Sequence, residues 1–180
     1  MATTTDIPKF DAQAPGLLSF MRNLNTPWKL RLYFLRRLPS CWYWGVRIRE
    51  VTPSRCQVTI PYGWRTQNPF RSIYFAALAG AAELSTGALA LLALHGRGRI
   101  SMLVTALEGK FIKKANTLTT FTCEEGATIQ EAVQAAIDTG EGQTARILTI
   151  GRNHAGEEVC RFWLTWSFKV KGAEKPDFVK

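Results

Sequence analysis

The sequence predicts an α+β fold in which one long buried helix covers the apolar face of an antiparallel sheet. Residues 73–94 form an unbroken apolar stretch with a single charge, which favours a buried central helix. Residues 158–170 alternate between apolar and polar side chains, as in a strand with one buried face. The expected order is a helical lead-in, two strands, the long helix, and four strands interrupted by a minor helix, which is typical of this fold class.

Composition indicates one globular domain. The chain has 180 residues, of which 46% are hydrophobic and 21% charged. We expect a flexible arm over 1–15, the domain over 16–171 and a flexible tail over 172–180. The first ten residues show no basic region followed by an apolar run, so no secretory signal is predicted and a cytoplasmic location is expected.

Cysteine and histidine spacing predicts neither a disulfide framework nor a metal site. The four cysteines are far apart in sequence and the two histidines are not near one another: Cys41, Cys56, Cys123, Cys160, His95 and His154. Paired spacings of the kind that bind zinc do not occur. We therefore predict no metal. A catalytic cysteine with a histidine partner is an alternative that no local motif supports. No cofactor is predicted either.

The charge is strongly asymmetric. Net charge is +9, and no acidic residue occurs between Asp11 and Glu50, where seven cations lie: Arg22, Lys29, Arg31, Arg36, Arg37, Arg47 and Arg49. This favours an anionic partner such as a phosphorylated cofactor, a lipid headgroup or nucleic acid. A solvated basic face is the alternative. No nucleic-acid-binding motif accompanies the charge, so nucleic acid is not predicted as a partner.

The N-terminal segment from Leu17 to Leu38 predicts one or two amphipathic helices ending near Pro39. Pro27 suits a first-turn position. An apolar stripe at helical spacing runs through four residues: Trp28, Leu32, Leu35 and Leu38. Packing of this stripe on the domain core is the favoured interpretation, and contact with a membrane surface is the alternative.

The remaining elements follow from alternation and turn residues. Strands are expected over 45–51 and 57–62, and the central helix over about 72–95, with Ser72 as N-cap and an end near His95 and Gly96. Beyond the helix we predict strands over 100–112, 117–123, 143–151 and 158–170, with a short helix over 127–138.

Glu83 is the single charge of the central helix. Its neighbours on the same helical face are all small, which leaves room for a substrate or another backbone: Ala76, Ala79, Gly80, Thr86, Gly87 and Ala90. A buried acid paired with an arginine or lysine is the alternative. The stretch is long enough to cross a bilayer, but its Ala and Gly content and its central carboxylate argue against a membrane span.

The order of elements, the stretch from Asn68 to Phe75 and the helix with Glu83 together resemble the hot-dog fold. The likeness covers about 17–170 and is closest to the thioesterase-like branch, within a family of uncharacterised bacterial domains. It implies that the sheet wraps around the long helix and that two chains pair to extend the sheet, as a homodimer or a dimer of dimers. It also implies that acyl thioesters of coenzyme A or acyl carrier protein bind at the chain interface.

Two departures from better known members narrow the function. Many such thioesterases carry a His-Gly-Gly turn at the helix start, where this chain has Tyr74, Phe75 and Ala76. The hydratase branch requires an Asp and a His a few residues apart, and this chain has no such pair. Thioester hydrolysis stays open, and hydratase activity is not expected.

Thioester hydrolysis requires an attacking group and donors for the oxyanion. Glu83 is the candidate nucleophile or general base. The amides of the first helical turn, around Tyr74 to Ala76, are the candidate donors. Phe75 and Glu83 lie eight residues apart, on the order of 12 Å along one helix, so one thioester cannot reach both. The hypothesis therefore requires Glu83 of one chain beside the helix start of another.

Further site residues complete the prediction. Asn68 would join the amide side, with loop capping as its alternative role, and Thr86 would hydrogen-bond the carboxylate or the ligand. Residues predicted to contact substrate are Tyr74, Phe75, Ala76 and Gly80, and packing of its ring in the core is the alternative for Tyr74. Candidates for phosphate binding are Arg97, Arg99, Lys113, Lys114 and Arg152, with ordinary surface charge as their alternative. A catalytically silent module that binds an acyl chain or lipid, and a peripheral membrane protein, are the competing hypotheses.

Overall fold

The structure, a computed structural model, describes residues 7–171. It contains five helices and six strands within that range. The helices are α1 (Pro15–Leu24), α2 (Pro27–Arg37), α3 (Pro39–Trp44), α4 (Phe75–Leu94) and α5 (Gly126–Thr139). The strands are β1 (Arg47–Val51), β2 (Cys56–Ile60), β3 (Ile100–Phe111), β4 (Thr119–Cys123), β5 (Gln143–Arg152) and β6 (Glu158–Val170).

The six strands form one antiparallel sheet in the order β1-β2-β4-β5-β6-β3. Helix α4 packs against α5 and against the sheet, most extensively against β2, and the buried face of β6 contributes further core residues. The α+β class and the sheet wrapped around a long helix are therefore confirmed.

Helix α4 is mostly apolar, with Glu83 as its single charge, and most of its side chains are buried in the core. Within residues 7–171 it is the one helix long and apolar enough to cross a membrane, and 61% of its most apolar window is buried inside the protein. The sheet provides the apolar surroundings that this composition requires. This burial agrees with the expectation that α4 is a core helix.

The start of α4 differs from the prediction. Tyr74, in extended conformation, is the N-cap, and the helix begins at Phe75 rather than near Ser72. The Ser72 hydroxyl and amide bond instead to Asn68 within a tight loop, and Arg71 in that loop has a φ of 58°. The loop's own hydrogen bonds thus compete with helix formation. The helix ends at Leu94, with His95 as C-cap, close to the predicted position.

The N-terminal segment forms three helices, and the predicted buried stripe is wrong. Leu30 and Phe34 carry the buried face of α2. The four stripe residues are exposed instead: Trp28, Leu32, Leu35 and Leu38. The helix contains two apolar faces, and periodicity alone does not decide which of them meets the core.

The described part of the predicted flexible arm is packed. Phe10 packs against the core, and the carbonyl of Pro8 accepts a hydrogen bond of 3.1 Å from Nε of Arg97. Residues 1–6 and the predicted tail over 172–180 lie outside the described residues.

The two edges of the sheet differ in character. β1 has only five residues, and Arg47 and Arg49 on it are exposed, which discourages pairing with another strand. β3 has twelve residues and exposes Leu103, Leu107 and Phe111. An edge that is long, apolar and uncovered invites pairing with another strand.

Candidate functional site

Glu83 lies at the mouth of an apolar pocket of about 170 Å³. One wall is the uncovered face of α4, with Gly80, Leu84, Gly87 and Leu91. The other walls come from the N-terminal helices and the sheet: Leu24, Leu30, Tyr33, Phe34, Leu38, Cys41, Ile48, Met102 and Trp166. A carboxylate therefore stands beside a space suited to an acyl chain.

Among residues 7–171, no cation or hydrogen-bond donor is paired with the Glu83 carboxylate. The residue is exposed by surface area, yet the apolar walls around its carboxyl group raise its pKa by desolvation. The alternative interpretation, an acid held by a structural ion pair, finds no partner here. An unpaired carboxylate with a raised pKa suits a base or a nucleophile.

The small residues beside Glu83 accommodate two indole rings. A Cβ at Gly80 would lie 2.9 Å from Cζ3 of Trp44, and one at Gly87 would lie 3.3 Å from Cζ2 of Trp166. Part of the space predicted for a substrate is thus filled by tryptophan. Gly80 still lines the pocket, so it sets both the position of Trp44 and the width of the cavity.

Thr86 lies on the buried side of α4, as does Ala90. Its hydroxyl donates to the backbone carbonyl of Glu83 over 3.1 Å and accepts the indole N–H of Trp166 over 2.9 Å. These contacts are not with the carboxylate, so in this conformation Thr86 positions Trp166 in the pocket wall.

A second pocket, of about 630 Å³, lies at the start of α4. It brings together five of the predicted site residues: Asn68, Tyr74, Phe75, Lys113 and Lys114. Phe111, at the end of the β3 edge, also lines it. Ala76 follows in the same helical turn and is half-buried. The helix start is therefore an open, solvent-accessible groove beside the exposed sheet edge.

Two amides at the helix start are available as donors. The amide of Tyr74 is not, because it donates to the carbonyl of Thr66 over 2.7 Å. The amides of Phe75 and Ala76 have no acceptor among the described residues, as expected for the first two positions of a helix. Of the three amides predicted to stabilise an oxyanion, those of Phe75 and Ala76 are therefore available and that of Tyr74 is not.

Asn68 organises the loop before α4. Its Oδ1 accepts the amides of Phe70 and Ser72 over 3.0 and 3.2 Å, and its Nδ2 donates to Oγ of Ser72 over 3.1 Å. Loop capping, the alternative role for Asn68, is therefore observed. Its carboxamide supports the helix start, and its place in the pocket wall keeps it near any bound group.

Four of the five candidate phosphate-binding residues are exposed, and the fifth, Arg97, is buried. Lys114 donates to the carbonyl of Phe70 over 3.2 Å, and Lys113 pairs with Glu157 over 2.6 Å, both in exposed positions. Arg99 is exposed at the start of β3, and Arg152 is exposed at the end of β5. All four remain candidates for contact with an anionic ligand.

The structure contradicts the predicted phosphate-binding role of Arg97. It is 2% exposed, and its guanidinium donates to Gln134 and to the carbonyls of Pro8 and Ala93. Burial lowers its pKa, partly offset by Asp138. Arg97 therefore fastens the N-terminal segment, α4 and α5 together, and it does not face solvent where a phosphate would bind.

The two pockets share no lining residue. Glu83 belongs to one and the free amides of α4 to the other, as the helical rise between them requires. Within one chain, Glu83 and the two unpaired amides therefore lie in separate pockets.

The thiols and imidazoles do not form a competing site. All four cysteines are free and buried, and burial, with Glu83 nearby, raises the pKa of the Cys41 thiol to about 11. His95 stacks on Phe20 with ring centroids 4.7 Å apart. Residues 7–171 contain no cluster of three or more His, Cys, Asp or Glu side chains arranged to hold a metal.

A six-stranded antiparallel sheet wrapped around a long helix defines the hot-dog class, as the sequence predicted. The chain belongs to the family described as Domain of unknown function (DUF4442), whose model matches residues 27–168. The predicted membership in a family of uncharacterised domains is thereby confirmed. No curated protein matches the chain significantly.

Solved structures share the fold at low identity. A probable thioesterase of unknown function from Pseudomonas aeruginosa is similar with 17% identity and a TM-score of 0.66, over 81% of this chain and 97% of that one. A protein of unknown function from Chlorobaculum tepidum is similar with 14% identity and a TM-score of 0.68, over 83% of this chain and 99% of that one. A thioesterase from Haemophilus influenzae is similar with 13% identity and a TM-score of 0.60, over 83% of this chain and 95% of that one.

Sequence reasoning missed the residues that shape the pocket around Glu83. Trp44 and Trp166 were not identified as its neighbours, and neither were Leu30 and Phe34 of α2. The glycines at positions 80 and 87 were the available signal, because a helix with such gaps accepts large rings from other elements. The identity of those rings depends on tertiary packing.

Proposed function

We propose that the protein hydrolyses acyl thioesters of coenzyme A or acyl carrier protein, in the cytoplasm, as a homodimer or a dimer of dimers. The observation that carries the proposal is the unpaired Glu83 carboxylate at the mouth of an apolar pocket. The acyl chain enters that pocket, and the thioester carbonyl lies beside Glu83.

The β3 edge supports the dimer. Pairing of two β3 strands extends the sheet and covers the exposed Leu103, Leu107 and Phe111. Phe111 also lines the pocket at the helix start, so a partner that meets this edge approaches the free amides of Phe75 and Ala76. In the proposed active site, these amides face Glu83 of the partner subunit.

Two routes of hydrolysis are consistent with this site. In the first, Glu83 removes a proton from water and the water oxygen bonds to the carbonyl carbon. The C–S bond then breaks, and Glu83 returns the proton to the departing sulfur, which leaves as the thiol. In the second, Glu83 attacks the carbon directly and expels the thiolate, and water then hydrolyses the anhydride. In both, the amides of Phe75 and Ala76 stabilise the negative carbonyl oxygen.

The remaining site residues act in binding. Tyr74 and Phe75, with ring centroids 4.9 Å apart, form the apolar wall at the helix start, and Asn68 holds the loop that presents it. Lys113, Lys114 and Arg152 supply positive charge for the phosphates of a coenzyme A-like group. Arg99 lies at the opposite end of β3 and does not join them within one chain. Thr86 acts through Trp166.

The test is release of free thiol from a panel of acyl-coenzyme A esters, with wild type beside Glu83→Gln. Glu131→Gln, an exposed acid on α5, is the matched control. We expect turnover in wild type and the control, and a loss of at least about a hundredfold in Glu83→Gln. Unchanged turnover in Glu83→Gln would remove this residue from the mechanism.

The helix start is tested separately. Phe75→Pro removes one amide donor at a position where proline is compatible with a helix, and Tyr74 already has the extended backbone that precedes proline. Phe75→Ala removes the ring but keeps the amide. A loss of about a hundredfold in kcat for proline beyond that for alanine supports the oxyanion role.

A catalytically silent module that binds an acyl chain is the second candidate. It is favoured by the side chains of Asn68 and Thr86, which are both occupied by internal hydrogen bonds. A folded, dimeric protein that binds acyl ligands and shows no turnover across the panel would establish this candidate over the first.

A further inference from the structure

The outer face of α2 is exposed and apolar. Trp28, Leu32 and Leu35 follow the spacing of one helical face, and Trp28 is 67% exposed. Tyr33 and Leu38 are exposed beside them and also line the pocket of Glu83. We name Trp28, Leu32, Tyr33, Leu35 and Leu38 the α2 stripe.

Beside this stripe, four arginines converge on one pocket between α2 and β1. They are Arg31, Arg47, Arg49 and Arg65. Arg31 lies 5.7 Å from the centre of the Trp42 ring, Arg65 lies 5.9 Å from that of Tyr43, and Arg49 donates to Thr59. We name these four residues the arginine pocket.

No carboxylate pairs with the arginine pocket among residues 7–171. The arginines of the described ion pairs are Arg55, Arg146 and Arg161, and none of these belongs to the arginine pocket. Three of the four pocket arginines come from the acid-free sequence between Asp11 and Glu50. Four clustered guanidinium groups without a counter-ion repel one another, and an anion relieves this repulsion.

We propose that the α2 stripe and the arginine pocket together dock the protein onto an anionic lipid bilayer. The tryptophan and leucines enter the boundary between headgroups and acyl chains, and the arginines bind phosphate headgroups. This is the combination that an interfacial amphipathic helix uses, with a rich apolar face beside basic residues.

A second copy of this chain is a poorer occupant for the same surface. A two-fold interface places the same patch of both chains together, so the arginine pockets and Lys29, Arg36 and Arg37 would meet their own copies. Like charges repel in that arrangement, whereas an anionic membrane attracts all of them. The charge therefore selects the bilayer.

The docking surface opens next to the pocket of Glu83, because Tyr33 and Leu38 belong to both. A docked molecule thus holds the mouth of this apolar pocket close to lipid acyl chains. The proposal does not depend on thioester hydrolysis, and its test uses no turnover measurement.

The experiment is co-sedimentation of the full chain with large vesicles at low and high salt. One set contains phosphatidylcholine alone, and the other contains phosphatidylcholine with phosphatidylglycerol. We expect binding to the anionic vesicles at low salt, release at high salt, and little binding to phosphatidylcholine.

Two surface variants and one control assign the binding to this face. Arg47→Gln with Arg49→Gln removes two charges of the arginine pocket, and we expect partitioning to fall on the order of thirtyfold. Trp28→Ser with Leu35→Ser removes the apolar anchor and should lower partitioning at least about tenfold. Lys169→Gln with Lys171→Gln removes the same charge at the end of β6 and should bind as wild type does.

All six positions are exposed, so the variants should fold as wild type does, which circular dichroism checks. Absence of wild-type binding to anionic vesicles at low salt would overturn the proposal. It would also be overturned if the α2 stripe variant bound unchanged, because binding would then be electrostatic only, or if the control lost as much binding as the arginine variant.

Discussion

The indole N–H of Trp166 donates a hydrogen bond of 2.9 Å to the hydroxyl of Thr86, three residues beyond Glu83. This bond joins β6 to the central helix inside the core and fixes a wall of the pocket that Glu83 faces. The residue predicted to assist the carboxylate therefore acts on the shape of the cavity beside it.

Thr86→Val should destabilise the protein. Valine has nearly the volume of threonine but leaves the buried Trp166 N–H without an acceptor, at a cost of about 1 to 3 kcal/mol. Thr86→Ser keeps the hydroxyl and is the control. Urea denaturation measures the free energy of unfolding, and equal stability of the two variants would argue against the hydrogen bond as the source of the effect.

Gly80→Ala should displace Trp44. A methyl group at Gly80 meets the ring at 2.9 Å, whereas one at Gly87 meets Trp166 at 3.3 Å. The crowding outweighs the gain of about 1 kcal/mol in helix propensity, so Gly80→Ala should lower the free energy of unfolding more than Gly87→Ala does. A more stable Gly80→Ala protein would show that the indole moves aside freely.

The raised pKa of Glu83 predicts a pH-dependent stability. The folded state holds the Glu83 proton more tightly than the unfolded state does. The stability contributed by this proton is therefore fully present below the pKa of the unfolded state and is lost as pH rises through the pKa of the folded state. Glu83→Gln does not titrate. Its stability advantage over wild type should therefore grow as pH rises from about 4 toward neutrality.

Urea denaturation of both proteins across that range measures this difference. A difference that is constant with pH would mean that the carboxyl group is as well solvated in the folded protein as in the unfolded chain.

Arg97→Met should destabilise the fold while leaving the surface charge pattern intact. The change leaves Gln134 and the carbonyl of Pro8 without their buried donor, at a cost of about 1 to 3 kcal/mol. Arg22→Met, exposed in the last turn of α1, should change stability by less than about 0.5 kcal/mol. Equal effects of the two substitutions on the melting temperature would contradict the structural role of Arg97.

The sequence was sufficient to predict the fold because its signals are local. The apolar stretch of α4, the alternation of β6 and the turn residues each specify an element, and the bounds of β6 agree with the structure. The helix start was placed too early because Asn68 and Ser72 make a loop whose hydrogen bonds are visible only in three dimensions.

The candidate site was predicted less completely because it depends on packing between distant segments. Glu83 was identified from its charge and its neighbours, but the burial of Arg97 depends on α5 and the N-terminal segment. Which face of α2 meets the core likewise depends on the shape of the sheet below it. The periodicity of a sequence shows that a helix has an apolar face, but it does not show which part of the protein covers that face.

The central claim, that one active site combines two chains, is tested most directly with hybrid dimers. Glu83→Gln and Phe75→Pro proteins are each inactive in the proposed mechanism. Mixed by co-refolding, they form hybrids in which one site has Glu83 from the Phe75→Pro chain and intact amides from the Glu83→Gln chain. We predict that thiol release recovers to roughly one quarter of wild type, since half the dimers are hybrids with one working site of two. Mixtures whose dimers are shown to exchange and that stay inactive would contradict a shared site.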